Sequence, residues 1–134
     1  LINYKDLYKG NTNSESENDS LLVDSISIQE MKNLLDKSPE KILLLDVRTP
    51  LEHKLDSIEG STSIPLQSIE NGEAIEVIRQ ISSGLKLYVY CESGQRSLKA
   101  LIKLRDHQIK GINLTGGMRK WNEENHEARK NNFT

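Results

Sequence analysis

The sequence contains a single cysteine, Cys91, which excludes an intrachain disulfide and any zinc site built from clustered cysteines. Long apolar runs are also missing: stretches such as Ile42 to Leu45 fall far short of the ~20 residues needed to cross a bilayer, so no membrane span is expected. No charged start followed by an apolar stretch marks a signal peptide, and one unpaired thiol suits a reducing compartment, so a cytoplasmic location is expected. Neither sign of charge is in excess. With 18 Lys and Arg against 20 Asp and Glu, the net charge of −2 excludes a strongly basic nucleic-acid binder or membrane-surface binder. The three histidines, His53, His107 and His126, are scattered, and no metal site is expected from them.

What remains is 134 residues, 35% of them apolar, enough for one domain around one core. Residues 10–20, GNTNSESENDS, have no aliphatic or aromatic side chain and are read as a linker, following an apolar LINYKDLY segment that packs on something. The chain starts with Leu1 rather than Met, as a piece of a longer protein does, so residues 1–20 are expected to be a tail from an upstream domain and 21–134 the folded domain. Charge changes along the chain, from −2 over residues 1–20 and −4 over 21–91 to +4 over 92–134. The basic segment reads first as solvated helix faces and second as a dock for an acidic partner. Asn18-Asp-Ser, Asn113-Leu-Thr and Asn132-Phe-Thr match the glycosylation pattern, read here as chance in the absence of a secretory signal.

From Leu21 on, helix and strand signals alternate. Ser27-Ile-Gln-Glu30 is a capping box, and Ile28, Met31, Leu34 and Leu35 recur at helical spacing, predicting a helix over 28–37. Residues 41–47, KILLLDV, and 85–90, LKLYVY, read as strands, the first covered on both faces. Helices are expected over 72–81, with Ile75, Ile78 and Ile81 on one side, and over 97–107, with Leu98, Leu101, Ile102 and Leu104 buried and Lys99, Lys103 and Arg105 wet. A short strand over 112–114 and a turn at Gly116-Gly117 lead into a last helix through Trp121, which is read as core or pocket wall. Strands separated by helices imply a three-layer α/β fold, a central parallel sheet of about five strands flanked by helices.

In such sheets, ligands sit beyond the carboxyl ends of the strands. Asp46-Val-Arg48 ends the first strand there, and Cys91-Glu-Ser-Gly-Gln-Arg96 ends the second, just before a helix. A thiol at that position faces the unpaired N–H groups and the positive dipole end of the helix, which favour the thiolate. Gly94 allows close approach to an anion, and Arg96 adds a fixed positive charge. A buried structural cysteine is the alternative. Asp46 and Arg48 read equally as a strand-end ion pair bracing the loop or as groups with a direct role, and Glu92 is expected to point to solvent.

Across residues 22–125 the sequence resembles rhodanese-type sulfurtransferases. The likeness rests on Leu45-Asp-Val-Arg-Thr-Pro50, Gly60 with Ile64-Pro65, the Cys91 to Arg96 loop followed by Ser97, and Gly116-Gly117-Met-Arg-Lys-Trp121. It implies that Cys91 accepts a sulfane sulfur as a persulfide, that the loop of Glu92, Ser93, Gly94, Gln95 and Ser97 cradles it, and that no further cofactor is needed. Ile64 to Gly72 and the Tyr88 to Ser97 loop look most like the C-terminal rhodanese domain of bacterial molybdopterin-synthase adenylyltransferase/sulfurtransferase. That likeness implies an upstream adenylyltransferase domain, a sulfur donor such as thiosulfate or a cysteine desulfurase, and a ubiquitin-like sulfur-carrier protein as acceptor, in molybdopterin or thiamin-type chemistry. Its dock would be Lys99, Lys103, Arg119 and Lys120. One departure stands out: Asp56 to Gly60 lacks the His of the family's Gly-His-Ile-x-Gly stretch. Two other readings, a small phosphatase and a non-catalytic binding module, fit the loop less well. Cell-cycle dual-specificity phosphatases place five residues between Cys and Arg where this loop has four, too tight a ring for phosphate, and non-catalytic rhodanese-like binding modules usually lack the cysteine.

Overall fold

The structure, a computed structural model, describes residues 23–132; the linker and the apolar segment before it lie outside the described residues. Five strands form one wholly parallel sheet in the order β1-β5-β4-β2-β3. They are β1 (Asp24–Ile26), β2 (Ile42–Asp46), β3 (Thr62–Ser63), β4 (Lys86–Tyr90) and β5 (Ile112–Leu114). The helices are α1 (Ile28–Lys37), α2 (Pro50–Leu55), α3 (Leu66–Glu70), α4 (Ile75–Ile81), α5 (Gln95–Asp106) and α6 (Gly117–Asn132).

The two central strands show why their sequences lack polar alternation. In β2 and β4, successive side chains go to opposite faces, and both faces are covered. Leu45, Val47, Leu87, Val89 and Cys91 join Ile69, Ile75, Ile78, Ala100, Leu101 and Leu104 of α3, α4 and α5 on one face. Leu44, Tyr88 and Tyr90 join Ile28 and Met31 of α1 and Met118 of α6 on the other. The expected three-layer α/β architecture follows from these two clusters. Register then sets the site: Asp46 pairs with Tyr90, and the Val47 N–H donates to the Tyr90 carbonyl at 3.0 Å, so the chains beyond β2 and β4 leave the same edge of the sheet together.

The 28–37 helix has its expected bounds and its capping box, in which the Ser27 hydroxyl accepts the Glu30 N–H while Glu30 accepts the Ser27 N–H. Four expectations need correction. The helix expected over 72–81 begins only at Ile75, because Gly72, with φ of +89°, sits in the turn that separates it from the short α3 before it. Ile81 is 38% exposed rather than on the buried side. On α5, Lys103 and Arg105 are half-buried rather than wet, and Leu98 is only half-buried. The last helix runs well past Trp121, to Asn132.

Candidate active site

Cys91 leaves β4 at the carboxyl edge, and Gln95 opens α5 four residues later. Gly94 stands at the N-cap with φ of +106°, a left-handed conformation that glycine adopts without penalty, and it has no side chain to cap the helix. The thiol sulfur takes that place. Cys91 Sγ accepts the N–H of Gly94 at 3.1 Å and of Ser97 at 3.3 Å, and lies 3.4 Å from the Ser97 hydroxyl. Helix-terminal amides without intrahelical partners thus point at one sulfur, which is 1% exposed. The same dipoles that satisfy a thiol stabilise a thiolate or a persulfide anion better.

The start of α6 holds the loop from the other side. Met118 N–H donates to the Cys91 carbonyl at 2.8 Å and Arg119 N–H to the Glu92 carbonyl at 3.0 Å. This approach requires Gly117, since a Cβ there would collide with the Cys91 carbonyl oxygen. The Gly-Gly turn read from the sequence is therefore a backbone clamp on the cysteine loop.

Two ion pairs flank the loop. Asp46, fully buried, accepts from Arg48 Nε and Nη2, the latter at 2.8 Å, and its Oδ2 lies 2.8 Å from His53 Nδ1. Burial alone would raise the Asp46 carboxyl, but its hydrogen bonds from Arg48 and His53 outweigh this and hold it below the ordinary range. Arg48 also donates to the Asp56 carbonyl and reaches Glu92 at 3.5 Å, so the ion-pair alternative for Asp46 and Arg48 is the one with visible contacts. Glu92 is only partly turned to solvent, as it answers Arg48. Arg96 is engaged by Glu52 rather than by sulfur: Nη1 and Nη2 meet the two carboxylate oxygens at 2.7 and 3.0 Å, and the guanidinium pulls Glu52 down to about 2.

The loop residues divide accordingly. Gly94 and Ser97 present N–H groups to the sulfur, while the Ser93 and Gln95 side chains are exposed. Lys99, Arg119 and Lys120 are exposed, as a dock requires, whereas Lys103 is half-buried. Trp121 is a cavity wall: half-buried, with the Lys32 ammonium 5.3 Å from its ring centre, it lines a 580 Å³ cleft that also includes Leu35 and Ile58. The segment without its family histidine is held by Tyr90, whose hydroxyl accepts the Ile58 N–H at 3.1 Å and meets Ser61 Oγ at 2.9 Å. Sequence reasoning missed Glu52, His53 and Asn113. Thr49-Pro-Leu-Glu52 carried a signal, a second capping box at the start of α2, in which Glu52 accepts the Thr49 N–H.

A lone thiol ringed by helix amides at the carboxyl edge of a parallel three-layer sheet places the protein among cysteine-loop α/β domains. Residues 27–124 match the family described as Rhodanese-like domain, and the chain belongs to that family. It is 30% identical over 119 residues to the thiosulfate:glutathione sulfurtransferase of Saccharomyces cerevisiae, covering 82% of this chain and 85% of that protein. It is 32% identical over 98 residues to the probable adenylyltransferase/sulfurtransferase MoeZ of Mycobacterium tuberculosis, covering 72% of this chain but 24% of MoeZ. A 39% identical Synechococcus elongatus protein of 16.5 kDa is likewise spanned over only 48% of its length. Among solved structures, the human single-domain sulfurtransferase TSTD1 superposes with a TM-score of 0.59 at 27% identity, covering 74% of this chain and 95% of that one.

Proposed function

We propose that this chain is a sulfurtransferase domain in which Cys91 carries the sulfur. The observation that carries this reading is the pair of N–H groups from Gly94 and Ser97 aimed at a buried, solitary Sγ. In the simplest cycle the Cys91 thiolate attacks the outer sulfur of thiosulfate. The thiosulfate S–S bond breaks, sulfite leaves with the electron pair, and a persulfide remains. A nucleophile such as cyanide then attacks the terminal sulfur, forming thiocyanate and returning the thiolate. The loop amides stabilise the anion at both stages, and no other cofactor takes part.

Its acceptor in this proposal is the activated carboxyl terminus of a ubiquitin-like sulfur-carrier protein, in molybdopterin or thiamin-type biosynthesis. There the terminal persulfide sulfur attacks the acyl carbon and the activating group leaves. An external dithiol, itself oxidised to a disulfide, reduces the resulting acyl disulfide to free the thiocarboxylate and the Cys91 thiol. The likeness to MoeZ supports this finer reading. So does the surface beside the loop: Leu51 and Leu55, 64% and 76% exposed, stand one turn apart on α2, the helix whose Glu52 holds Arg96. An exposed apolar pair on the helix that anchors the cysteine loop suits a protein acceptor. The test is thiosulfate-to-cyanide turnover by the purified chain. Activity in the wild type and none in Cys91→Ser is expected; equal turnover in both overturns the reading.

A further inference from the structure

Asn113 lies in β5, the strand beside β4, and the proposed chemistry does not use it. Its side chain meets the cysteine loop twice. Oδ1 accepts the Ser97 hydroxyl at 2.6 Å, and Nδ2 donates weakly to the Gly94 carbonyl at 3.5 Å. These are the two residues whose N–H groups face Cys91 Sγ.

A carbonyl oxygen only accepts, so the Ser97 proton lies toward Asn113 and the hydroxyl presents a lone pair to Sγ, 3.4 Å away. The anion is therefore stabilised by the two N–H groups rather than by the hydroxyl, and Asn113 bears on it through the placement of those groups. The Gly94 carbonyl, which also accepts the Leu98 N–H at 3.3 Å, gains a second partner in Asn113, so the first turn of α5 is tied to β5 where its N–H groups meet the sulfur.

We propose that Asn113 is a positioning residue for sulfur transfer: it fixes the Ser97 hydroxyl and the Gly94 carbonyl, and so keeps both N–H groups on Cys91. The assignment rests on Cys91 being the reacting group. It acts through Ser97 first, because that bond is short and the one to Gly94 is long.

The test reads thiolate reactivity without any sulfur donor. Alkylation of Cys91 by iodoacetamide is followed against pH in wild type, Asn113→Leu, Asn113→Asp, Ser97→Ala and the Ser97→Ala/Asn113→Leu double variant, with melting temperatures alongside. Asn113→Leu is expected to slow alkylation about tenfold at neutral pH and to move the profile to higher pH. Asn113→Asp keeps the size and the acceptor but adds an anion, so it slows the reaction at least as much, and it carries the test alone should the Leu variant not fold. In the Ser97→Ala background Asn113→Leu should lose most of its effect, since partners in one network are not additive. Wild-type alkylation in Asn113→Leu and Asn113→Asp, or fully additive losses, overturns the assignment, as does a lowered melting temperature with an unchanged pH profile. Normal alkylation in the wild type with no sulfur transfer sinks the proposed function instead.

Discussion

Replacing Glu52 with Gln removes one charge and almost nothing else. Gln keeps an oxygen for the Thr49 N–H, so the α2 capping box survives, and it keeps one acceptor for Arg96. What disappears is the carboxylate across the 2.7 and 3.0 Å contacts to the guanidinium. The fall of the Glu52 carboxyl from 4.5 to about 2 converts to about 3 kcal/mol at ~1.36 kcal/mol per pH unit. Both side chains are about one-third exposed, at 34% and 35%, so solvent screening reduces the net contribution to about 1 kcal/mol. The folded carboxyl titrates below the unfolded one, so this contribution is complete above about pH 4.5 and is lost as pH falls toward about 2. Urea melts of wild type and Glu52→Gln should therefore differ by about 1 kcal/mol at neutral pH, with the gap closing at about pH 3. No gap at neutral pH, or one that persists undiminished in acid, refutes the reasoning.

Asp46→Ala strands the Arg48 guanidinium, 3% exposed, without its carboxylate, and should cost about 3–5 kcal/mol in urea melts; a loss under about 1 kcal/mol contradicts the buried-pair account. Arg96→Ala should cut thiosulfate-to-cyanide turnover at least about tenfold, about 1.4 kcal/mol, with the fold intact, because the loop loses its tie to α2. Unchanged turnover leaves anion stabilisation to the amides alone. Reversing Lys99 and Lys120 to Glu should slow sulfur transfer to a ubiquitin-like carrier, more so at low salt, and leave transfer to cyanide as it was. Equal losses on both acceptors, or none, return those lysines to the role of solvated surface.

Much of this was legible because the informative residues obey short-range rules. The α1 capping box and the 42–46 and 86–90 strands needed only local pattern, and Cys91 to Ser97 showed its helix-terminus chemistry in six steps of chain. β1, β3, α2 and α3 were missed for the opposite reason: at two to six residues they are too short to display a period, and they exist because neighbours already in place cover them. The site was half legible for a similar cause. Arg96 stood out by charge, but Glu52 lies 44 positions away and Asn113 joins Ser97 across 16, contacts that only the sheet order brings together. Arg96 thereby has a long-range partner in Glu52 that its charge and spacing did not announce.

The central claim is that Cys91 carries transferable sulfur. Mass spectrometry of the intact chain after thiosulfate treatment and desalting measures this directly, with peptide mapping to locate the addition. One extra sulfur on the Cys91 peptide, removed by cyanide and absent from Cys91→Ser, is the predicted result. An unmodified Cys91 peptide under conditions in which a control rhodanese is fully loaded contradicts it.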